Sequence, residues 1–271
     1  MDIKKIVVPT DFSDAANNAL LYAAGLAKQF DAQIELVHAV LVPVLTARGK
    51  LFLPDQDVAN ANLKIAENQL EETKKMVSGK NGVQLDTNAI LINWQMELAE
   101  AIHGKGADLI VLGTTGSSCL KKIFLGSNAA RIIQNAPVPV LAVPANAKFS
   151  PLKKIGFAYD GLELKGFEKL SILNALKNKF KAGIDIFQII QNKQTPSADL
   201  SGLVEFLPGA KTNEVYESVV ESGILNRVKS KKLDMMTMIP RRRGFFHNLI
   251  LGSITKRVAY KISVPLLAIP D

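Results

Sequence analysis

Apolar residues along this chain fall into short continuous runs separated by longer segments in which they recur every three or four positions, the signature of strands alternating with helices. In the first half the runs lie near residues 4–9, 33–39, 83–91, 108–113 and 138–143, with helical periodicity near 14–30, 57–80, 95–105 and 127–135. The second half gives strands near 153–159, 183–190, 212–216, 233–239 and 265–269, with helices in between. Such alternation builds a parallel sheet covered by helices. Ser13 stands where it can cap the first helix, and Pro137 blocks continuation of the helix before it.

The two halves are copies of each other. Residues 107–144 align without a gap on 233–270, matching Asp108 with Asp234, Leu125-Gly126-Ser127 with Leu251-Gly252-Ser253 and Arg131 with Arg257. Nearer each beginning, the stretch from Lys4 to Asp11 matches the stretch from Lys153 to Asp160. The offsets are 149 at the start and 126 at the end, so the second copy is shorter by 23 residues. The surplus lies around Val40 to Asn62, where Pro43, Gly49 and Pro54 predict that the segment begins as a long loop. Domains over 1–146 and 152–271 are expected, joined by a short linker.

Chemistry concentrates where Leu109-Ile110-Val111-Leu112 runs into Gly113-Thr114-Thr115-Gly116, with Gly126-Ser127 nine residues further on. A buried strand breaking into glycines, followed by a helix start, reads as a phosphate-cradling loop. Glycine lets the backbone turn sharply and approach a ligand, and the first amides of a helix favour an anion. An ordinary tight turn is the competing reading. In the second copy Ile239 replaces Gly113 and Arg242 replaces Gly116, so the loop is damaged there.

These residues resemble the universal stress proteins in their tandem form. ATP-binding members of that family carry Gly-x2-Gly-x9-Gly-(Ser/Thr), which Gly113, Gly116, Gly126 and Ser127 reproduce, together with an acid after the first strand, here in Pro9-Thr10-Asp11-Phe12-Ser13. The resemblance covers both copies. It implies two Rossmann-like α/β domains, each a five-stranded parallel sheet of order 3-2-1-4-5, paired about a pseudo-twofold axis through their last strands. It implies bound ATP, with or without magnesium, with Pro9, Thr10, Asp11 and Ala39 at the adenine and ribose end. Leu112, Gly113, Thr114, Gly116, Gly126, Ser127 and Asn128 would surround the phosphates. The function implied is that of a cytoplasmic stress-response regulator in which nucleotide occupancy of the first copy is the signal. A slow ATP hydrolase and a ligand-free interaction scaffold are the alternative readings.

The residues themselves leave some roles open. Asp11 could accept from ribose hydroxyls or cap the following helix; Ser127 could touch phosphate or only begin its helix. Arg241-Arg242-Arg243, which occupies the place of the lost glycine loop, could hold a small anion or simply be solvated. His38 in its apolar strand reads as a satisfied structural residue, and Cys119 as a thiol with no sign of activation.

Composition sets outer bounds. At 271 residues and 48% hydrophobic content the chain can build two cores. Net charge is +8, yet no basic helix or aromatic-interleaved basic strip stands out along the sequence, so nucleic acid is not an expected partner; an adenine nucleotide and an unidentified protein are. One cysteine excludes an intrachain disulfide. Met1-Asp2-Ile3-Lys4-Lys5 leads directly into a strand, and neither a signal peptide nor a membrane span is expected. His38, His103 and His247 show no metal-ligand spacing, and there is no Gly-x4-Gly-Lys-(Ser/Thr) sequence, which argues against a zinc site and a P-loop ATPase. No catalytic residue is assigned, and at most weak ATPase activity is expected.

Overall fold

The computed structural model describes residues 2–41, 45–47, 50–52, 56–92, 102, 106–114, 126–162, 164, 166–192, 198–240 and 254–271. In the first repeat the strands are β1 (Lys5–Pro9), β2 (Gln33–Leu41), β3 (Leu45–Ala47), β4 (Lys50–Phe52), β5 (Leu85–Ile92), β6 (Leu109–Gly113) and β7 (Val140–Val143). Its helices are α1 (Asp14–Phe30), α2 (Gln56–Asn81) and α3 (Ser127–Asn135). The second repeat has β8 (Lys154–Ala158), β9 (Gly183–Ile190), β10 (Lys211–Tyr216), β11 (Met235–Met238) and β12 (Leu266–Ala268). Its helices are α4 (Ser171–Phe180), α5 (Ser201–Phe206), α6 (Val220–Lys231) and α7 (Ile254–Lys261). The helix expected at 95–105 lies outside the described residues except for Ile102, which is helical and buried.

All ten long-sheet strands join in the order β10-β9-β8-β11-β12-β7-β6-β1-β2-β5. Each half is parallel and ordered 3-2-1-4-5 in its own numbering, and the halves meet through the antiparallel pair β7–β12, with Leu141 opposite Leu267. An apolar last strand left alone would expose its backbone edge; here each copy covers the other's. A second contact ties the halves. Phe30 and Phe180 close α1 and α4 at equivalent places and meet each other, ring centroids 6.1 Å apart.

Side chains alternate between two cores as the pleat requires. Ile6, Val8, Ile34, Leu36 and Val111 face the layer of α1 and α2, while Val7, Val37, Ile110 and Leu112 face the layer of α3. The central strands are apolar on both faces because both are covered. The aspartates that open the fourth strand of each repeat are structural. Asp108 Oδ2 accepts from the amides of Lys4 and Lys5 at 2.8 and 2.9 Å, and Asp234 Oδ2 does the same for Lys153 and Lys154.

The surplus segment of the first repeat differs from expectation. Rather than beginning as a loop, the chain continues β2 to Leu41, pairs Leu45–Ala47 with Lys50–Phe52 as a short antiparallel hairpin, and enters α2 at Gln56. Local β pairing satisfies backbone groups that a long loop would leave to solvent.

Candidate functional site

The carboxyl ends of β1, β2 and β6 lie side by side, and α3 begins beside them. Pro9 pairs with Val37, Thr10 N donates to Val37 O at 2.9 Å, and Ala39 follows two residues along β2. Gly113 pairs with Val143, and Thr114 N donates to Val143 O at 3.1 Å. Gly126 N in turn donates to Thr114 O at 3.0 Å. The chain therefore leaves the sheet at Thr114 and returns to the same point, where α3 starts. This is the crevice beyond the strand ends at which the connections diverge to opposite sides, the position where open α/β sheets take ligands. A cavity of about 340 Å³ lies elsewhere, at the amino edge beside Lys28, Asp31 and Gln33.

Of the eleven sequence-selected residues, Pro9, Thr10, Asp11, Ala39, Leu112, Gly113, Thr114, Gly126, Ser127 and Asn128 come together at this edge. Gly116 lies outside the described residues, as do Thr115, Lys121, Lys122, Cys119 and Arg241 to Arg243. Thr10 and Thr114 are buried, whereas Asp11, Ser127 and Asn128 are exposed. Gly126 is the N-cap of α3 and supplies no side-chain hydrogen bond, so the first helical amides have no capping oxygen from that residue.

Gly113 has a packing role that the sequence alone does not show. A Cβ placed there would stand 2.7 Å from the carbonyl oxygen of Ala15 and 3.2 Å from the amide of Ala16. The glycine lets the first turn of α1 lie against the end of β6. In the second repeat the described helical residues after β8 start with a 3-10 turn over Phe167–Leu170 and continue as α4 from Ser171, and Ile239 takes the place of Gly113.

The loop after β1 is fixed by several bonds. Ser13 caps α1, its Oγ accepting from Ala16 N at 3.2 Å, while Asp11 Oδ1 accepts from Ser13 N at 3.1 Å. Phe12 adopts a left-handed conformation at φ 62°, a strained place for an aromatic residue. Three contacts hold it: Phe12 N donates to Thr10 Oγ1 at 3.0 Å, Asn17 Nδ2 donates to Phe12 O at 3.5 Å, and its ring meets that of His38 at 4.5 Å. His38 Nδ1 lies 2.8 Å from Thr10 O. His38 is thus a satisfied structural residue, half-buried, and with Phe12 it backs the turn that carries Asp11. Sequence reasoning passed over Phe12. The available signal was Gly161, a glycine at the matching place of the second repeat, with φ 80°.

The second repeat repeats the turn and fills the space. Tyr159 N donates to Phe187 O, and Asp160 Oδ1 accepts from Leu162 N at 3.2 Å, as Asp11 does from Ser13. Gln188, the counterpart of His38, is buried and accepts from Ala198 N at 2.8 Å. A Cβ on Gly161 would meet Gln188 Nε2 at 2.8 Å, and Ile189 replaces the smaller Ala39. The chain's own residues 188 and 198 thus crowd the cleft.

The family model for the universal stress protein family matches residues 2–144. The chain belongs to the universal stress protein family. Among its relatives, Universal stress protein MJ0531 of Methanocaldococcus jannaschii is 38% identical over 143 residues, 52% of this chain and 81% of that protein. Universal stress protein Slr1230 of Synechocystis is 24% identical over 98% of this chain and 99% of its own length, which extends the likeness across both repeats. A crystal structure of a universal stress protein from Archaeoglobus fulgidus matches in fold, with a TM-score of 0.73 at 19% identity, covering 98% of each chain. Among the described residues of this universal stress protein, no group of three or more His, Cys, Asp or Glu could hold a metal ion, and no helix is long and apolar enough to cross a membrane.

Proposed function

We propose that residues 1–146 bind an adenine nucleotide, ATP foremost, that residues 152–271 do not, and that occupancy rather than turnover is what this cytoplasmic regulator reports. The observation that carries the reading is the closure of Gly126 on Thr114 beside the end of β1, with α3 starting from a residue that offers no capping side chain. A helix start of that kind accepts a phosphate through its free amides and dipole. Asp11 is exposed at the neighbouring strand end, where the ribose would lie. Pro9 and Ala39 each stand two residues beyond Val7 and Val37, which face the α3 layer, so the pleat brings them to that face of the sheet, where an adenine would lie. Leu112 to Thr114, Gly116, and Gly126 to Asn128 are assigned to the phosphates. Magnesium, where present, would enter on the phosphate oxygens, since hard cations of this kind keep several waters and need few protein ligands.

Fast hydrolysis needs an oriented water, a group to position it and cations around the transferring phosphoryl. The described residues of the edge offer hydroxyls and amides that hold phosphate, and Asp11 is engaged with Ser13 N. A thermal-shift panel of ATP, ADP, cyclic AMP and GTP, with and without magnesium, tests the reading. ATP at about a hundred times its dissociation constant should stabilise the protein by roughly 2.7 kcal/mol. Gly116→Val should abolish the shift and Gly252→Val should leave it. No shift with any nucleotide would favour the scaffold reading, and phosphate release that a site substitution abolishes would favour the hydrolase.

A further inference from the structure

We infer that the amino edge of the second repeat is a docking surface for the phosphodiester backbone of a nucleic acid. The inference is independent of the nucleotide reading. It starts from an imbalance: residues 152–271 contain 19 Lys and Arg against 11 Asp and Glu, whereas residues 1–151 contain 14 of each. The whole excess of +8 belongs to one repeat.

The fold lines six of those lysines along one edge. Lys211 starts β10, Lys181 lies two residues before β9, Lys153 and Lys154 start β8, and Lys231 and Lys232 lie just before β11. These strands are neighbours in that order, and all six lysines are exposed. At ~4.8 Å per strand the row spans ~14 Å. The residues are scattered through 80 positions of sequence, so no basic strip is visible along the chain.

The first repeat serves as an internal control. There the same strand starts are neutralised: Lys4 pairs with Asp2 at 2.6 Å and Lys5 with Glu35 at 2.7 Å. In the second repeat Pro151 stands where Asp2 does, and Asp185, the counterpart of Glu35, is gripped by Arg227 through two bonds of 2.7 and 2.8 Å. Lys154 Nζ reaches only a carbonyl, that of Lys231, at 3.4 Å. Asp234 spends one carboxylate oxygen on the amides of Lys153 and Lys154. Among the described residues, none of the six ammonium groups has a carboxylate within 4.0 Å. Helix dipoles account for Lys181 at the end of α4 and for Lys231 and Lys232 at the end of α6, but Lys153, Lys154 and Lys211 stand at strand starts, where no helix end asks for them.

The partner's chemistry follows from what the edge lacks. Among the described residues, the exposed large apolar side chains Leu162, Phe167, Tyr216 and Val219 of this repeat stand near the carboxyl ends of its strands, away from the lysine row, and Val204 stands alone on α5. A protein interface would want an apolar centre, and base readout would want aromatic or forked groups. Hydrated point charges in a row suit a regular line of phosphates, bound by counterion release without sequence preference.

The test is fluorescence anisotropy of a labelled DNA or RNA duplex of about 20 base pairs with the full chain across a salt titration. Binding should appear near 50 mM salt and weaken linearly in log K against log salt. Replacing Lys153, Lys181 and Lys231 by Gln should raise Kd by about tenfold or more and flatten the slope by ~0.9 per contact removed. The control, replacing Lys64, Lys74 and Lys75 on α2 by Gln, removes the same charge from the first repeat and should leave Kd within about twofold. Equal loss in both triple variants, no binding at low salt, or tighter binding to phosphatidylserine vesicles or polyglutamate than to duplex would each overturn the inference.

Discussion

Gly113 and Ala15 are packed so closely that no side chain can stand between them: a Cβ on the glycine would lie 2.7 Å from the alanine's carbonyl oxygen and 2.8 Å from its carbonyl carbon. The strand that leads into the candidate phosphate loop is thereby locked to the helix that follows Asp11. Gly113→Ala should destabilise the protein by about 1–3 kcal/mol, the usual cost of overpacking against something that cannot move. Urea unfolding measures it, and an unchanged midpoint would show that α1 can shift.

Phe12 and Gly161 hold the same left-handed turn with different residues, φ 62° and 80°. Strain of ~1–2 kcal/mol is released when the aromatic residue becomes glycine, and this offsets part of the lost contact with His38. Phe12→Gly should therefore cost under about 2 kcal/mol of stability, below the 3–5 kcal/mol of an ordinary buried Phe truncation. ATP binding should weaken alongside, because the turn carrying Asp11 loses its backing. Calorimetric titration beside urea unfolding separates the two effects.

Both folds, and the strand ends and helix start that frame the candidate site, were legible in the sequence, because periodicity and repeat register report burial directly: α1, α3 and β9 run over the residues expected. What escaped depends on contacts between distant segments. The approach of Ala15 to Gly113 and the bonds from the Lys4 and Lys5 amides to Asp108 join segments about a hundred residues apart, and no local pattern announces them. The hairpin over 45–52 was hidden behind Pro43, Gly49 and Pro54, whose composition signals turns without saying that the strands between them pair.

Leu141 and Leu267 face each other across the single antiparallel junction of the sheet. Residues 1–147 expressed alone would expose β7 as an apolar edge. That fragment should dimerise or aggregate in sedimentation experiments, and a well-behaved monomer at high concentration would remove the support for obligatory pairing of the repeats.

Tyr22 packs edge-on against Phe149 at 5.3 Å, and burial, with a smaller contribution from the Asp234 carboxylate, pushes its hydroxyl above the usual tyrosine range. The neutral form is favoured by folding, so its contribution is complete below the unfolded value of about 10 and is lost as pH rises beyond it. Stability should fall above about pH 10, and Tyr22→Phe should flatten that fall. An identical alkaline profile in the variant would place the titration elsewhere.

Asp11 and Asp160 make the same local bond, accepting from Ser13 N at 3.1 Å and from Leu162 N at 3.2 Å, so Asp160→Ala is the matched control for Asp11→Ala. Only the first is proposed to meet a nucleotide. Isothermal titration of the full chain with ATP should give one site, with Asp11→Ala weakening binding by at least about tenfold, or ~1.4 kcal/mol, and Asp160→Ala leaving it unchanged. Two equivalents of ATP per chain, or equal loss from both substitutions, would contradict the assignment of the site to the first repeat.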